Sequence, residues 1–288
     1  MGRKKKIKEL TLFSEEELNE LMVDFAASED NVANENIEEE NKLSNATIIR
    51  NISYDQTEIL HNIGQLYNEG SDQFDADMTA SSLVFYNGSH NGKYIIPEPK
   101  ILMDVYPQRD DIIKITPFQK LPLEDKSIHS LICDLPFVIS PKTCKSVVEK
   151  KEGANMVSNR FSSFYPAEEL FENIYWWEKE AFRVLDDGGI LIWKMQSTVS
   201  GGRQLWSVPF SFISATKLGF YPIDEFILQA KARLVAASKI KKQMHARKYT
   251  STFFVFKKDE KKARKNNCLT ILKNCEQNVF EGKVWDVK

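Results

Sequence analysis

The sequence lacks the features that mark several specialised classes of protein. Its four cysteines form no Cys-x-x-Cys pair and no paired spacing typical of a metal site, so we expect reduced thiols, as in cytosolic proteins. No apolar run approaches the roughly 18 residues of a membrane span, and no apolar stretch follows the basic start, so neither an anchor nor a secretory signal is predicted. The net charge is only −2, so binding to nucleic acid would require a local patch of cations.

The composition predicts one folded domain between two polar ends. Hydrophobic residues make up 42% and aromatic residues 11% of the 288 residues, which is enough for a core and excludes a wholly disordered chain. Residues 1–50 run from a basic start into an acidic stretch, which predicts a flexible tail able to form one short helix. Residues 51–258 hold the apolar runs, and residues 259–288 are predicted to be a charged tail. The basic start can be a nucleic-acid arm, a targeting signal or a solvated tail.

Short apolar runs alternate with amphipathic stretches throughout residues 51–258. Apolar residues at helical spacing predict three helices, Gln56–Tyr67, Ala167–Val184 and Val208–Leu218. The predicted strands are Gln73–Asp77, Lys100–Val105, Ser130–Asp134, Gly189–Met195, Ile223–Gln229 and Thr250–Phe256. This alternation predicts an α/β fold with a mainly parallel sheet, whose last strand is antiparallel because it follows another strand directly. Ligands of such sheets bind at the carboxyl ends of the strands.

The tetrapeptide Asp134–Phe137, with the sequence DLPF, leaves the carboxyl end of a predicted strand. A carboxylate there can accept hydrogen bonds from an amino group and orient its lone pair towards a methyl donor. Pro136 fixes the backbone so that the carbonyl before it points into the site, and Phe137 can stack on a flipped base. These residue types suit methyl transfer to an exocyclic amine, although an ordinary turn containing Asp and Pro remains the alternative.

The tetrapeptide resembles the D/N/S-P-P-Y/F/W motif of the class I S-adenosylmethionine (AdoMet)-dependent amino-methyltransferases that act on nucleic acids. Residues 54–257 also follow the family's order of motif-I strand, acidic residue after the next strand, tetrapeptide and terminal hairpin. Further stretches are similar to small phage and prophage DNA (adenine-N6) methyltransferase-like proteins, namely residues 54–56, 77–81, 121–125, 199–204 and 245–249. The resemblance implies a Rossmann-like sheet of seven strands with an antiparallel C-terminal strand.

The resemblance also implies AdoMet as the cofactor and assigns residues to hold it. Motif I corresponds to the stretch that contains Asp77, Thr79 and Ser81, and the acidic residue for the ribose hydroxyls corresponds to Asp104. No metal is expected, because methyl transfer from a sulfonium requires alignment and charge rather than a Lewis acid.

Two positions depart from the family pattern. Leu135 stands at the second position of the tetrapeptide, where proline is usual. Leu83 stands where the relatives tend to have a glycine, which would permit a positive φ or a close approach of the backbone to the cofactor. We therefore expect Leu83 either to adopt a different loop or to narrow the cofactor pocket.

Cations concentrate late in a chain whose net charge is slightly negative. Residues 231–248 contain seven Lys or Arg residues and no acidic residue, which predicts contacts with phosphates, with a solvated loop as the alternative. The long polar segment 140–166 follows the tetrapeptide and is expected to cover the target base. The predicted nucleic-acid contacts are Arg160, Arg203, Lys241, Lys242, Arg247 and Lys248.

The sequence therefore predicts methylation of an exocyclic amine in DNA, adenine N6 first and cytosine N4 second. Asp134 and the carbonyl before Pro136 would bind the amino group, and Phe137 would stack on the base. The alternatives are a catalytically inactive relative that binds nucleic acid or a protein partner, and an RNA methyltransferase. The expected location is the cytoplasm of a bacterium or of a phage-infected cell, and the oligomeric state stays open.

Overall fold

The computed structural model describes residues 48–88, 92–139, 163–164, 166–200, 202–231, 245–266 and 269. The chain divides into two units, Met1–Ile49 and Arg50–Lys288, and every element below belongs to the second. The predicted N-terminal helix lies outside the described residues, as do three of the predicted nucleic-acid contacts, Arg160, Lys241 and Lys242.

Four helices and twelve strands make up the described part of the second unit. The helices are α1 (Gln56–Tyr67), α2 (Ala167–Val184), α3 (Ser207–Leu218) and α4 (Glu260–Asn266). The strands are β1 (Ile52–Ser53), β2 (Ala76–Asp77), β3 (Ile101–Asp104), β4 (Ile113–Lys114), β5 (Ile128–Asp134), β6 (Val138–Ile139), β7 (Ser163–Phe164), β8 (Leu185–Met195), β9 (Thr198–Ser200), β10 (Arg203–Leu205), β11 (Phe220–Gln229) and β12 (Thr250–Lys258).

Eight strands form one sheet in the order β1-β11-β12-β8-β5-β2-β3-β4. All neighbouring pairs are parallel except those of β12, which lies antiparallel between β11 and β8. The predicted α/β fold with an antiparallel last strand is therefore confirmed. The sheet has eight strands rather than seven because the short β1 adds to the edge beside β11. Two small sheets accompany it, the antiparallel hairpin β9–β10 and the parallel pair β6–β7.

The middle of the sheet is buried on both faces. In β5 the successive residues Leu131, Ile132 and Cys133 are all at most 1% exposed. Because side chains alternate between the two faces of a strand, burial of consecutive residues requires cover on both sides. The apolar run in β8 behaves in the same way, with the successive residues Ile192 and Trp193 wholly buried. These two strands place the carboxyl ends that carry the candidate site.

The helix predictions agree closely with the structure. α1 and α2 have the predicted bounds, and α3 begins one residue earlier than predicted. At the start of α1, the Asp55 side chain accepts a hydrogen bond from the Thr57 N–H at 2.8 Å, which satisfies a backbone donor of the first turn. No helix in the described ranges is long and apolar enough to cross a bilayer.

Most of the short strands were not predicted from the sequence. The expected strand Gln73–Asp77 is reduced to Ala76–Asp77, and β1, β4, β6, β7, β9 and β10 were not predicted. Strands of two or three residues are too short to show a period in the sequence, because their pairing depends on a partner elsewhere in the chain. In the hairpin β9–β10, Arg203 pairs with Ser200 and Gln204 with Val199.

Candidate active site

The carboxyl ends of the parallel strands bring the predicted tetrapeptide and the predicted cofactor loop together. β2 and β5 are direct neighbours, and Asp77 pairs with Ile132 in the register of the sheet. The Asp134 N–H donates a hydrogen bond of 2.7 Å to Oγ1 of Thr79. The motif-I loop thus holds the first residue of the tetrapeptide through one bond.

Asp77 is wholly buried and organises the loop from beneath. Its Oδ1 accepts hydrogen bonds from the Thr79 N–H at 2.7 Å and from the Thr79 hydroxyl at 3.0 Å, while Oδ2 accepts one from the Tyr86 hydroxyl at 2.6 Å. Burial raises the pKa of Asp77 to about 7, although these hydrogen bonds act to lower it. The Asp77 carboxylate therefore bonds the loop itself, and its role in cofactor binding stays a prediction.

Leu83 adopts a positive φ of 59° without being a glycine. Its N–H donates to the carbonyl of Ala80 at 2.8 Å, which closes the turn after motif I, and its side chain is only 9% exposed. Leucine itself therefore occupies the left-handed region that glycine favours, and narrowing of the cofactor pocket stays a prediction. A non-glycine residue in this region costs about 1 kcal/mol. Such strain is retained only where the surrounding structure enforces it.

Asp104 ends β3, as predicted, and contacts the motif-I loop. Its Oδ2 accepts the Ser81 N–H at 2.8 Å, and its Oδ1 accepts the Tyr106 N–H at 2.6 Å. Asp104 therefore joins the end of β3 to the loop that follows β2. Thr79, Ser81 and Asp104 are all partly exposed at this edge.

Asp134 forms an ion pair with Lys194 of the neighbouring strand β8. The Lys194 ammonium lies 2.8 Å from Oδ2 of Asp134, and the two residues are register partners. The pair is largely buried, since the side chains are 13% exposed for Lys194 and 22% for Asp134. The ammonium also lies 4.9 Å from the ring centre of Phe85 and 5.5 Å from that of Phe253. Cation–π attraction to two rings holds the lysine in place.

Lys194 is the residue that the sequence predictions missed in this site. Its signal was present, because it is the only charged residue in the apolar run Gly189–Met195. A charge in a strand that is buried on both faces has to find a partner. Tyr86 was missed as well, and nothing in its sequence context marks it as the partner of Asp77.

Within the tetrapeptide, some side chains lie in the hydrophobic core and others at the candidate site. Leu135 is 5% exposed and belongs to the main hydrophobic core, so the replacement of the usual proline is accommodated by packing. Pro136 is partly exposed, and the partly buried Phe137 packs against the core. The stacking of Phe137 on a base remains a prediction.

Two of the predicted nucleic-acid segments meet at the same edge. Arg203 begins β10 and is exposed, and Arg247 is exposed shortly before the start of β12. Nε2 of His245 lies 2.7 Å from the carbonyl oxygen of Gly202, which joins the β9–β10 turn to the basic segment. Lys248 is partly exposed in that segment. Across the described ranges, no group of three or more His, Cys, Asp and Glu side chains is arranged to hold a metal ion.

No protein-family model matches the chain, and no curated protein matches it in sequence. Among solved structures, it is similar to a Thermus thermophilus protein named as a DNA modification methylase, in complex with S-adenosyl-L-methionine, at 15% identity and a TM-score of 0.29. That match covers 48% of each chain, so the present chain spans about half the length of that protein. A Haloferax volcanii methyltransferase in complex with the Trm112 activator matches at 12% identity and a TM-score of 0.37, over 66% of this chain and 83% of its own.

A Thermotoga maritima SAM-dependent methyltransferase is also similar, at 14% identity and a TM-score of 0.35, over 70% of this chain and 92% of its own. At such identities and TM-scores, what the chain does has to be inferred from its own residues. Those residues are a carboxylate held by a largely buried lysine, a strained loop joined to its backbone through Thr79, and a second carboxylate at the end of β3.

Proposed function

We propose that this chain is an AdoMet-dependent methyltransferase that acts on an exocyclic amine of a nucleic-acid base, most directly adenine N6 in DNA. One observation carries the proposal: at the carboxyl end of β5, the backbone N–H of Asp134 bonds Thr79 of the motif-I loop, and Lys194 pairs with the Asp134 carboxylate. Methyl transfer needs an amine and a methyl donor held in line. The carboxylate would hold the amine, and the loop beside it would hold the donor.

The residues that would hold the cofactor are Thr79, Ser81 and Asp104. Asp104 is the carboxylate proposed to accept hydrogen bonds from the ribose hydroxyls, because it ends β3 beside Ser81 of the loop. AdoMet supplies, when bound, a methyl group activated by a positively charged sulfur. Asp77 contributes indirectly, because its three hydrogen bonds set the course of the loop.

The target amine would be bound by Asp134 and by the backbone carbonyl before Pro136. Lys194 bonds Oδ2 of Asp134, and Oδ1 can accept a hydrogen bond from the amine. These acceptors would hold the amine so that its nitrogen lone pair faces the methyl donor. The amine loses one proton, and Asp134 is the group proposed to accept it. Phe137 would stack on the base.

Lys194 is proposed as the positioning residue of this site. Its ammonium fixes the orientation of the Asp134 carboxylate and balances the negative charge in a mostly buried place. The two aromatic rings prevent the lysine from turning away. The carboxylate therefore meets the amine already oriented, which avoids the cost of ordering it during reaction.

The test is transfer of a radiolabelled methyl group from AdoMet to unmethylated DNA, followed by digestion and identification of the modified nucleoside. N6-methyladenine is expected, whereas N4-methylcytosine would make cytosine the target base. Transfer to RNA but not to DNA in a parallel reaction would make RNA the substrate. Calorimetric titration with AdoMet is the companion measurement.

A non-catalytic binding module is the second candidate, and the buried Leu83 at the position of a family glycine favours it. Measurable AdoMet binding together with transfer to DNA would exclude this candidate. Absence of AdoMet binding in a folded sample would establish it.

A further inference from the structure

Two large aromatic side chains are exposed next to the candidate active site. Trp206, which precedes α3, is 63% exposed, and Tyr249, which precedes β12, is 41% exposed. Exposing rings of this size to water is unfavourable, because burying an aromatic side chain contributes about 2 kcal/mol or more. Their position at the carboxyl edge makes them candidates for binding rather than for packing.

A buried glutamine ties both rings to the active site. Gln196 is 3% exposed and lies two residues after Lys194. Its side-chain amide donates to the carbonyl of Thr250 at 2.6 Å, and its backbone carbonyl accepts from the Ser207 hydroxyl at 2.8 Å. The residues next to Trp206 and Tyr249 are thus bonded to one residue that follows β8. The residue that follows each ring in the chain is therefore anchored by a hydrogen bond to Gln196.

The surroundings of the rings are cationic. The segments 188–223 and 226–258 contain no Asp or Glu, although the whole chain has 41 acidic residues. Arg203 and Arg247 are both exposed here, and the bond between His245 and Gly202 joins their segments. We call Trp206, Tyr249, Arg203 and Arg247 the aromatic–cation surface. Aromatic rings interleaved with cations fit the bases and phosphates of an unpaired strand.

We propose that the aromatic–cation surface binds nucleic acid as a single strand, with Trp206 and Tyr249 stacking on bases that flank the target. A duplex hides its base faces inside the stack, so exposed rings gain from stacking only when bases are unpaired. The inference rests on the proposed function, because the strand would lead its target base to Asp134. It specifies the form of the substrate, which is single-stranded or locally opened. A groove that reads a duplex would not require unpaired bases.

The experiment measures binding of a fluorescently labelled single-stranded oligonucleotide and of its duplex by anisotropy, without AdoMet. The full chain should bind the single strand at least about tenfold more tightly than the duplex. Trp206→Ala and Tyr249→Ala should each weaken single-strand binding by about tenfold, the effect of losing one stacked base. Tyr175→Ala is the matched control, because Tyr175 is 46% exposed on α2, outside this surface. It should bind as the unchanged chain does.

The salt dependence of binding distinguishes the contribution of base stacking from that of charge. The two aromatic variants should keep the slope of log affinity against log salt, whereas Arg203→Ala and Arg247→Ala should each reduce it by about 0.7. Trp206→Phe should recover most of the affinity lost in Trp206→Ala, because a phenyl ring still stacks. Thermal melting of each variant checks that it remains folded.

Equal affinity for single strand and duplex, or unchanged affinity in the double variant of Trp206 and Tyr249, would overturn the inference. A surface for a protein partner gives this second result. The proposed function fails separately, through absence of AdoMet binding or of methyl transfer, and the binding measurement needs neither. Methylation of duplex DNA by Trp206→Ala at the unchanged rate would remove this inference alone.

Discussion

The two edges of the central sheet differ in how their charged side chains are arranged. At the amino ends of the strands, charged side chains satisfy one another: Arg183 bonds Glu180 at 2.7 Å, Lys126 bonds Asp187 at 2.8 Å, and Lys100 bonds Asp75 at 2.7 Å. At the carboxyl ends, Lys194 pairs with Asp134, but the exposed Arg203 and Arg247 lie in segments without any acid, and the exposed rings add apolar surface.

Positive φ values at non-glycine residues occur at both edges, since Lys126 at the amino edge has a φ of 58°. Ser81 and Leu83 both have positive φ values in the loop that follows β2. The amino edge is built for stability, because its charges are paired internally. The carboxyl edge keeps the exposed Arg203 and Arg247 available for a ligand, which agrees with the rule that ligands of such sheets bind there.

The largest effect is expected from Asp134→Ala, which should abolish methyl transfer because the amine loses its acceptor. Asp134→Asn, which keeps an acceptor oxygen, should retain part of the activity. The measurement is the radiolabelled transfer assay. Asp186→Ala at the amino edge is the control, since Asp186 pairs with His129 far from the site, and it should leave the rate unchanged. Full activity of Asp134→Ala would refute the assignment of the catalytic residue.

Lys194→Met should lower kcat by about 10- to 100-fold, because the Asp134 carboxylate would no longer be held in orientation. AdoMet affinity should stay unchanged, since the contacts of the lysine are with Asp134 and two rings rather than with the cofactor residues. Lys194→Arg should rescue part of kcat, and Lys126→Met, which removes an exposed pair at the amino edge, should have no effect. A change in AdoMet affinity with an unchanged kcat would contradict the positioning role.

Arg183→Met should destabilise the fold by about 3 kcal/mol without changing AdoMet affinity. Arg183 bonds the buried Glu180 and the carbonyl of Leu123, so its loss leaves a carboxylate without its main partner. Urea unfolding measures the effect. The matched variant Lys120→Met removes an exposed pair with Asp125 and should cost less than about 0.5 kcal/mol. Equal losses of stability in both variants would show that the buried pair contributes no more than the exposed pair.

Asp77→Asn should flatten the dependence of stability on pH. Burial raises the pKa of Asp77 to about 7 in the folded chain, above the unfolded value of 3.8. Between these values the unfolded state loses a proton that the folded state keeps, so stability falls as pH rises, by about 1.4 kcal/mol per unit, and levels off above about pH 7. Unfolding free energies of the two proteins from about pH 4 to about pH 8 test this. Parallel curves would show that Asp77 does not titrate in this way.

Leu83→Gly is expected to have the smallest effect. Glycine would release about 1 kcal/mol of backbone strain but lose about 2 kcal/mol of apolar burial, so stability should fall by only about 1 kcal/mol. AdoMet binding should tighten, by less than about tenfold, if the leucine narrows the pocket. Calorimetric titration measures this. Loss of binding would show that the leucine side chain supports the loop through its packing.

The tetrapeptide and the elements around it were predictable because their signals are local. Helical spacing identified α1 and α2 with their bounds, and an apolar run ending in Asp134 identified β5 and the edge where the site lies. Motif order selected Ser81 and Asp104 as cofactor residues, and the structure brings them within one hydrogen bond of each other. The short strands were not predictable, because two residues carry no period.

The amino-acid sequence by itself determined the α/β fold, the antiparallel last strand and the position of the tetrapeptide, since periodicity and order are properties of neighbouring residues. Only the tertiary structure decided that Lys194 holds Asp134, 60 residues away, and that Thr79 holds it from 55 residues away. It also decided that Asp77 is buried and that Gln196 joins Trp206 to Tyr249 through their neighbours. Such contacts depend on which strands become neighbours in the sheet, and that choice minimises the energy of the whole core, so it cannot be read from any single segment.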